Sequence, residues 1–257
     1  MIKIFSNHEV IKNFSFTDYF DLNGKIIRKA ESRETLELNL NNKLFYIKRF
    51  YGTSFIQKIW QIIGFKDEVN NAVNEFKAYA LLQEIGIETP KLVCFGDDNK
   101  FAKRKSFVMA EKILNIAELD SFLVNPKNKT LVKKHEDKIF EEVCSIVSRL
   151  NINNIIHKDL YLCHFLIDTK LLKTIGKIKI YLIDYHRLEK FSMISNRQKV
   201  KEIGDLFFSI KRIKKFSIFI NYLKKDSNLK NLYKQNHIAI NNRADKLLKK
   251  YLKKYGK

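Results

Sequence analysis

The sequence predicts an α+β fold in two lobes, a small strand-rich N-lobe over residues 1–111 and a larger, mainly helical C-lobe over residues 112–257. Three observations carry that reading. Thr35-Leu36-Glu37-Leu38-Asn39-Leu40 alternates strictly, and beyond the turn residues Asn41-Asn42-Lys43 the run Leu44 to Phe50 returns, the pattern of a β-hairpin. After Glu111 the apolar period changes from that of strands to that of helices and keeps it for most of the chain. Hydrophobic residues make up 45% of the 257, which suffices for a real core, while 8 Gly and 2 Pro exclude collagen-like and linker-rich designs.

The elements follow in order. Lys25-Ile26-Ile27-Arg28 is a short extended run after the turn signal Asn23-Gly24. Residues 67–85 read as a helix with Val69, Ala72, Val73, Phe76, Tyr79, Ala80 and Leu82 on one apolar face. Gly86 stops it, and Thr89-Pro90 opens an extended segment. Lys91 to Gly96 and Ser106 to Ala110 read as strands. Residues 115–151 are helical, divided at Pro126, and Asn151 to Asn154 is a polar break. Phe165-Leu166-Ile167 and Lys179 to Ile183 are short strands with Gly176 in the turn between them. From Lys199 onward the chain is helical and basic, and no internal repeat is present.

The balance of 49 basic and 28 acidic residues gives a net charge of +21, which calls for an anionic neighbour: nucleic acid, an anionic membrane face or a phosphorylated substrate. Composition does not choose among them. No apolar run approaches the ~18 residues of a membrane span, and Met1-Ile2-Lys3-Ile4-Phe5 lacks the features of a secretory signal, so a soluble protein that visits a membrane surface is expected. Cys94, Cys144 and Cys163 form no C-x-x-C pair, which argues against a disulfide framework or a cysteine zinc site and fits a reducing cytosol. Lys211 to Lys257 carries 15 Lys/Arg against Asp226 and Asp245. Within it Ala244, Leu247, Leu248, Tyr251, Leu252 and Tyr255 recur at helical spacing, and Lys246, Lys249, Lys250, Lys253 and Lys254 fill the rest. That pattern predicts a terminal helix with a docked apolar stripe and a solvated basic face, which also suits anionic lipid.

The chemistry concentrates in His157-Lys158-Asp159-Leu160-Tyr161-Leu162-Cys163-His164-Phe165-Leu166-Ile167-Asp168. Asp159 falls in a loop after a helix, and His164 immediately precedes a strand. The returning strand ends at Asp184, so a hairpin brings Asp159, His164 and Asp184 to one mouth. Two carboxylates and an imidazole there suit Mg²⁺ and a hydroxyl nucleophile. In the N-lobe, Lys48 ends the alternating run Phe45-Tyr46-Ile47-Lys48, and Glu75 lies inside the following helix. Taken singly, Lys48 reads as a solvated strand lysine, Glu75 as a helix-surface acid, Asp184 as a strand-end turn residue and His186 as a core histidine. Their joint order and spacing set them apart.

That order, Lys48, Glu75, Glu111, His157-x-Asp159, His164, Asp184, resembles kinase-like phosphotransferases. The loop from His157 to Leu166 resembles the catalytic loop of the lipopolysaccharide core kinases, the heptose and Kdo kinases. Asp184-Tyr185-His186-Arg187 resembles that family's Asp-x-His-Arg segment, and Lys201 to Ser209 its next helix. Glu75-Phe76-Lys77-Ala78, Gly86 and Phe95-Gly96 also fit, and the resemblance spans roughly residues 20–210.

The resemblance implies a protein-kinase-like fold, with ATP as phosphoryl donor and Mg²⁺ as cofactor. By it, Asp159 is the catalytic base or hydroxyl-orienting group, and Asp184 binds the Mg²⁺ that bridges the phosphates. Lys48 contacts the α- and β-phosphates and Glu75 holds Lys48. Val108 to Glu111, with Met109 and Glu111, contacts adenine. His164 takes the position at which protein kinases have a metal-binding Asn. Departures are present: no G-x-G-x-x-G loop occurs, so the turn from Ala30 to Glu34, with Ser32 and Arg33, has to cover the phosphates. Lys201-Glu202 stands where the family has Lys-Asp, with Asp205 as an alternative support for the catalytic loop. The implied acceptor is heptose or Kdo of the lipopolysaccharide inner core, an anionic glycolipid at the cytoplasmic face of the inner membrane, which the basic surface suits. Two rivals remain open: a kinase for a soluble small molecule or protein, and a non-catalytic nucleic-acid-binding module. The latter lacks any aromatic-basic recognition motif or zinc spacing.

Overall fold

The computed structural model describes residues 2–5, 11, 13–30, 32–52, 71–100 and 104–256. The chain forms two compact units, Met1–Leu81 with Pro90–Ile113, and Leu82–Thr89 with Leu114–Lys257.

The first unit is built on an antiparallel sheet. Its strands are β1 (Ile2–Ile4), β2 (Lys25–Ala30), β3 (Arg33–Leu40), β4 (Lys43–Tyr51), β5 (Leu92–Asp97) and β6 (Lys105–Glu111), in the order β1-β5-β6-β4-β3-β2. Asn41 and Asn42 turn the β3–β4 hairpin with positive φ angles of 49° and 62°, a conformation that asparagine tolerates and that matches the twist of the strands. The register sets Leu36 opposite Ile47 and Thr35 opposite Lys48. Because side chains alternate, Phe45, Ile47 and Arg49 face one side of the sheet while Lys48 and Phe50 face the other.

On the first side, Leu36, Leu38, Phe45, Ile47, Phe107 and Met109 pack with Tyr19 of the short helix α1 (Asp18–Asp21). The buried Arg49 fastens that segment by donating to the carbonyls of Tyr19 (2.8 Å) and Leu22 (2.6 Å). On the second side, helix α2 (Ala72–Glu84) lays Ala72, Val73, Phe76 and Tyr79 on Phe50, Leu92, Phe95 and Val108. Ala80, expected on the apolar face, is exposed, and Ala78 is buried in its stead. Residues 67–70, with Val69, lie outside the described residues. Gly86, at φ +67°, follows the helix as its expected stop.

The second unit contains β7 (Ile116–Glu118), α3 (Leu119–Val124), α4 (Lys129–Ile152), β8 (Ile155–Ile156), β9 (Phe165–Asp168), α5 (Thr169–Ile175), β10 (Ile180–Leu182), β11 (Glu189–Lys190), α6 (Asn196–Arg212), α7 (Phe216–Leu223) and α8 (Ser227–Tyr255). Pro126 separates α3 from α4 as expected, at the start of a 3₁₀ turn. The segment expected to be a simple turn around Gly176 instead holds α5. Asp168 caps that helix by accepting from the Leu171 amide at 2.9 Å, and Gly176, at φ +66°, ends it. β9 pairs antiparallel with β10 and, on its other edge, with β7. The core is formed by Phe140, Val143 and Val147 of α4, Leu162 just before β9 and Phe165 at its start, Phe207 of α6 and Phe219 of α7. A capping box of Ser195 and Gln198 starts α6, and α8 packs along it. No described helix is long and apolar enough to cross a membrane.

Candidate active site

In the second unit, the β9–β10 pair places Leu182 opposite Phe165, so the residue before β9 and the residues after β10 come together. The junction is closed by backbone and side chain. The Ile183 amide donates to the His164 carbonyl at 2.9 Å. The His157 ring bonds the Ile183 carbonyl through Nε2 at 3.0 Å. A carbonyl only accepts, so Nε2 carries the proton. Burial holds the His157 imidazole down at about 4, and its Nδ1 has no hydrogen-bond partner among the described residues. His157 is thus a neutral strut between the loop that carries Asp159 and the end of β10, the structural part expected of it.

His164 Nδ1 lies 2.6 Å from the backbone carbonyl of Asp159. By the same logic Nδ1 bears a proton, which turns Nε2 toward the carboxylate of Asp184. That nitrogen is 3.5 Å from Asp184 Oδ2. An imidazole nitrogen and a carboxylate oxygen this close are together able to ligate a cation. The other carboxylate oxygen, Oδ1, accepts from His186 Nδ1 at 2.7 Å. Asp184 itself sits at φ +58°, in the left-handed region, and Lys158, beside Asp159, at φ +69°. Such non-glycine strain marks sites where side-chain placement outweighs backbone comfort. Asp159, His164 and Asp184 are therefore brought together as the hairpin spacing predicts.

Two features were not anticipated. Arg187 Nη1 lies 3.0 Å from Asp159 Oδ2 and 3.2 Å from Oδ1. The support of the loop that starts at His157 also differs: Glu202 Oε1 accepts from the His157 amide at 2.7 Å, so Glu202 fills that place directly. Asp205 is engaged elsewhere, 2.6 Å from Arg243 Nη2 of α8, which corrects the expectation that it backs up the loop. Burial pushes the Glu202 carboxyl up to about 8 and that of Asp205 up to about 6.

In the first unit, Lys48 Nζ is 2.6 Å from Glu75 Oε1. The Glu75 side chain is only 7% exposed and Lys48 33%, so the carboxylate is covered while the ammonium keeps an open side. The second Glu75 oxygen, Oε2, is buried without a hydrogen-bond partner among the described residues. Thr35 shares this sheet face as the cross-strand partner of Lys48, and Arg33 as that of Phe50. Ser32, half-buried beside Arg33, accepts from the Tyr51 amide through its carbonyl at 2.8 Å. Glu111 lies 3.4 Å from Lys91. Met109 departs from expectation: its side chain is fully buried in the cluster on the face opposite Lys48, because it pairs with Ile47, so that side chain is not available to an adenine.

Among the described residues, no group of three or more His, Cys, Asp or Glu side chains forms a ready-made metal cage. A Mg²⁺ ion needs no such cage, since it keeps several waters and takes one or two carboxylates together with substrate phosphates. Asp184 with His164 fits that mode.

Comparison with known proteins gives the family and the fold. The model of the lipopolysaccharide kinase (Kdo/WaaP) family matches residues 18–218. The lipopolysaccharide core heptose(I) kinase WaaP of Escherichia coli is 27% identical over 200 residues, covering 76% of this chain and 74% of that protein. Its counterpart from Pseudomonas aeruginosa is 25% identical over 189 residues, 73% of this chain and 70% of that protein. A solved structure of WaaP in complex with acyl carrier protein has a TM-score of 0.75, covering 96% of this chain and 99% of that one at 20% identity. That likeness is one of fold, an α+β kinase-like architecture.

Proposed function

The chain belongs to the lipopolysaccharide kinase (Kdo/WaaP) family, and from that premise we propose that it moves the γ-phosphoryl group of ATP to a heptose or Kdo hydroxyl of the lipopolysaccharide inner core. The observation that carries the reading is the meeting of Asp159, His164 and Asp184, with His164 Nε2 3.5 Å from a carboxylate oxygen of Asp184.

Each residue has a separate task. Asp159 orients the acceptor hydroxyl and takes its proton as the oxygen attacks phosphorus. Asp184, aimed by His186 and helped by His164, would hold Mg²⁺, which would supply positive charge against the phosphates. Lys48, held by Glu75, contacts the α- and β-phosphates, and Arg33 and Ser32 cover the phosphates in the absence of a glycine-rich loop. Glu111 and the backbone beside Met109 serve the adenine. His157 and Glu202 hold the loop on which Asp159 sits, which spares the carboxylate a reorganisation cost at the moment of transfer.

The acceptor is anchored by lipid, so the protein works in the cytoplasm as a peripheral visitor to the anionic inner face of the inner membrane. The exposed lysines of α8 support this, each contributing about 1 kcal/mol near an anionic surface. Mass spectrometry of the lipid core from cells with and without this protein tests the function. Loss of one phosphate from an inner-core sugar is the expected result. An unchanged core contradicts it.

A further inference from the structure

A row of aromatic rings leads out of the site. Tyr161, two residues beyond Asp159, sets its ring 5.9 Å from that of His164 and 6.1 Å from that of Phe208 on α6. Phe208 meets Tyr251 of α8 at 5.9 Å, and Tyr251 meets Tyr255 at 5.1 Å. Core packing alone does not account for them. The neighbouring Phe207 is fully buried, whereas Tyr161, Phe208 and Tyr251 are half-buried and Tyr255 is 61% exposed. The Tyr161 phenol oxygen has no hydrogen-bond partner among the described residues. A phenol O–H can both donate and accept. Cations border the row: the Arg212 guanidinium lies 5.3 Å over the Tyr251 ring and Lys254 Nζ 5.0 Å over that of Tyr255.

We propose that this row is the subsite for the acceptor saccharide, taking the sugars beyond the one that is phosphorylated. The inference rests on the phosphoryl-transfer reading above. A pyranose presents a flat C–H face that packs on an aromatic ring, and a rim of hydroxyls that wants donors and acceptors. Half-open rings and a free phenol offer both. Carboxylates or phosphates on neighbouring sugars meet Lys254, since Arg212 is already paired with the buried Asp120. A lipid surface needs only the exposed lysines and has no use for rings that lead inward to Asp159, so the inner end of the row favours a substrate of the reaction.

The test uses the full chain with Mg·ATP and two soluble acceptors, a deacylated inner-core oligosaccharide and a single-sugar fragment of it. The variants are Tyr251→Leu, which keeps apolar volume, and Tyr161→Phe, which keeps the ring. Each is expected to raise the KM for the oligosaccharide roughly five- to tenfold. The KM for ATP should stay unchanged, and the difference should vanish with the single sugar. A merely structural role would move all three values together. An unchanged oligosaccharide KM, an equal rise in the ATP KM, or an effect confined to vesicle binding overturns the subsite while leaving the phosphoryl-transfer reading intact. No phosphorylation of either acceptor by the unaltered protein overturns that reading, and the subsite with it.

Discussion

The Arg187 guanidinium lies 3.0 Å from the carboxylate of Asp159. It is also 42% exposed, so it is not a buried structural ion pair whose loss collapses the fold. Its position suits two tasks: holding the carboxylate in one rotamer, and offering positive charge beside the group that passes between ATP and acceptor. Arg187→Met is expected to lower kcat by about 10- to 100-fold, the worth of a charge-assisted hydrogen bond, with the KM for ATP little changed. Arg187→Lys should restore part of the loss. Steady-state kinetics of both variants checks this, and an Arg187→Met enzyme of full kcat contradicts it.

What could be read from the sequence depended on how local the signal was. β3 and β4 were legible because each is half-buried, and half-burial writes a two-residue period into the chain. The convergence of Asp159, His164 and Asp184 was legible because one antiparallel pair produces it. Arg187 was not, since the backbone turns at Asp184 through the left-handed region, at φ +58°, and only then brings the guanidinium back to Asp159. α5 escaped because seven residues are too few to show a helical period, although its cap Asp168 and its stop Gly176 stood at its ends. Met109 could have been placed by parity: it pairs with Ile47, and Ile47 alternates with Lys48. The choice between Glu202 and Asp205 was hidden because Arg243, which claims Asp205, lies in the tail beyond the recognisable motifs.

The Lys48–Glu75 pair separates stability from binding. Lys48→Met strands a covered carboxylate and should cost about 2 kcal/mol, less than a fully buried pair because Lys48 is a third exposed. Adding Glu75→Gln should recover most of that stability without recovering nucleotide affinity. Denaturant unfolding alongside ATP titration distinguishes the two. If the double variant binds ATP normally, Lys48 has no role at the phosphates.

Glu202 makes stability depend on pH. Burial raises its carboxyl to about 8 from an unfolded value of 4.5, so the folded state holds a proton that the unfolded state has lost across that window. Its contribution therefore falls as pH rises from 4.5 to 8, by up to about 1.4 kcal/mol per pH unit. Glu202→Gln keeps an oxygen for the His157 amide and removes the titration. The variant should match the unaltered protein near pH 4 and exceed it at pH 8, as read from denaturation midpoints across that range. A constant difference between them at every pH contradicts the assignment.

The basic face of α8 should bind membranes by charge. Lys249, Lys250, Lys253 and Lys254 are exposed on that helix. The full chain is expected to co-sediment with anionic vesicles at low salt and to be released as salt rises, since screening shortens the reach of surface charge to about 8 Å at physiological ionic strength. Replacing the four lysines by Gln should weaken this and leave ATP binding alone. Equal affinity for neutral and anionic vesicles, or binding indifferent to salt, contradicts it. Tight binding to duplex DNA without vesicle affinity would favour the nucleic-acid alternative.

Asp159 and Asp184 stand in the same site but are assigned different tasks, and this division is the centre of the account. The most direct measurement follows labelled γ-phosphate from ATP to an inner-core acceptor that lacks its phosphate, for the unaltered chain, Asp159→Asn and Asp184→Asn, with Mg²⁺-dependent nucleotide binding measured on the same samples. The account predicts transfer by the unaltered chain and none above background by either variant, with nucleotide binding kept by Asp159→Asn and lost by Asp184→Asn. Near-normal transfer by Asp159→Asn would contradict it.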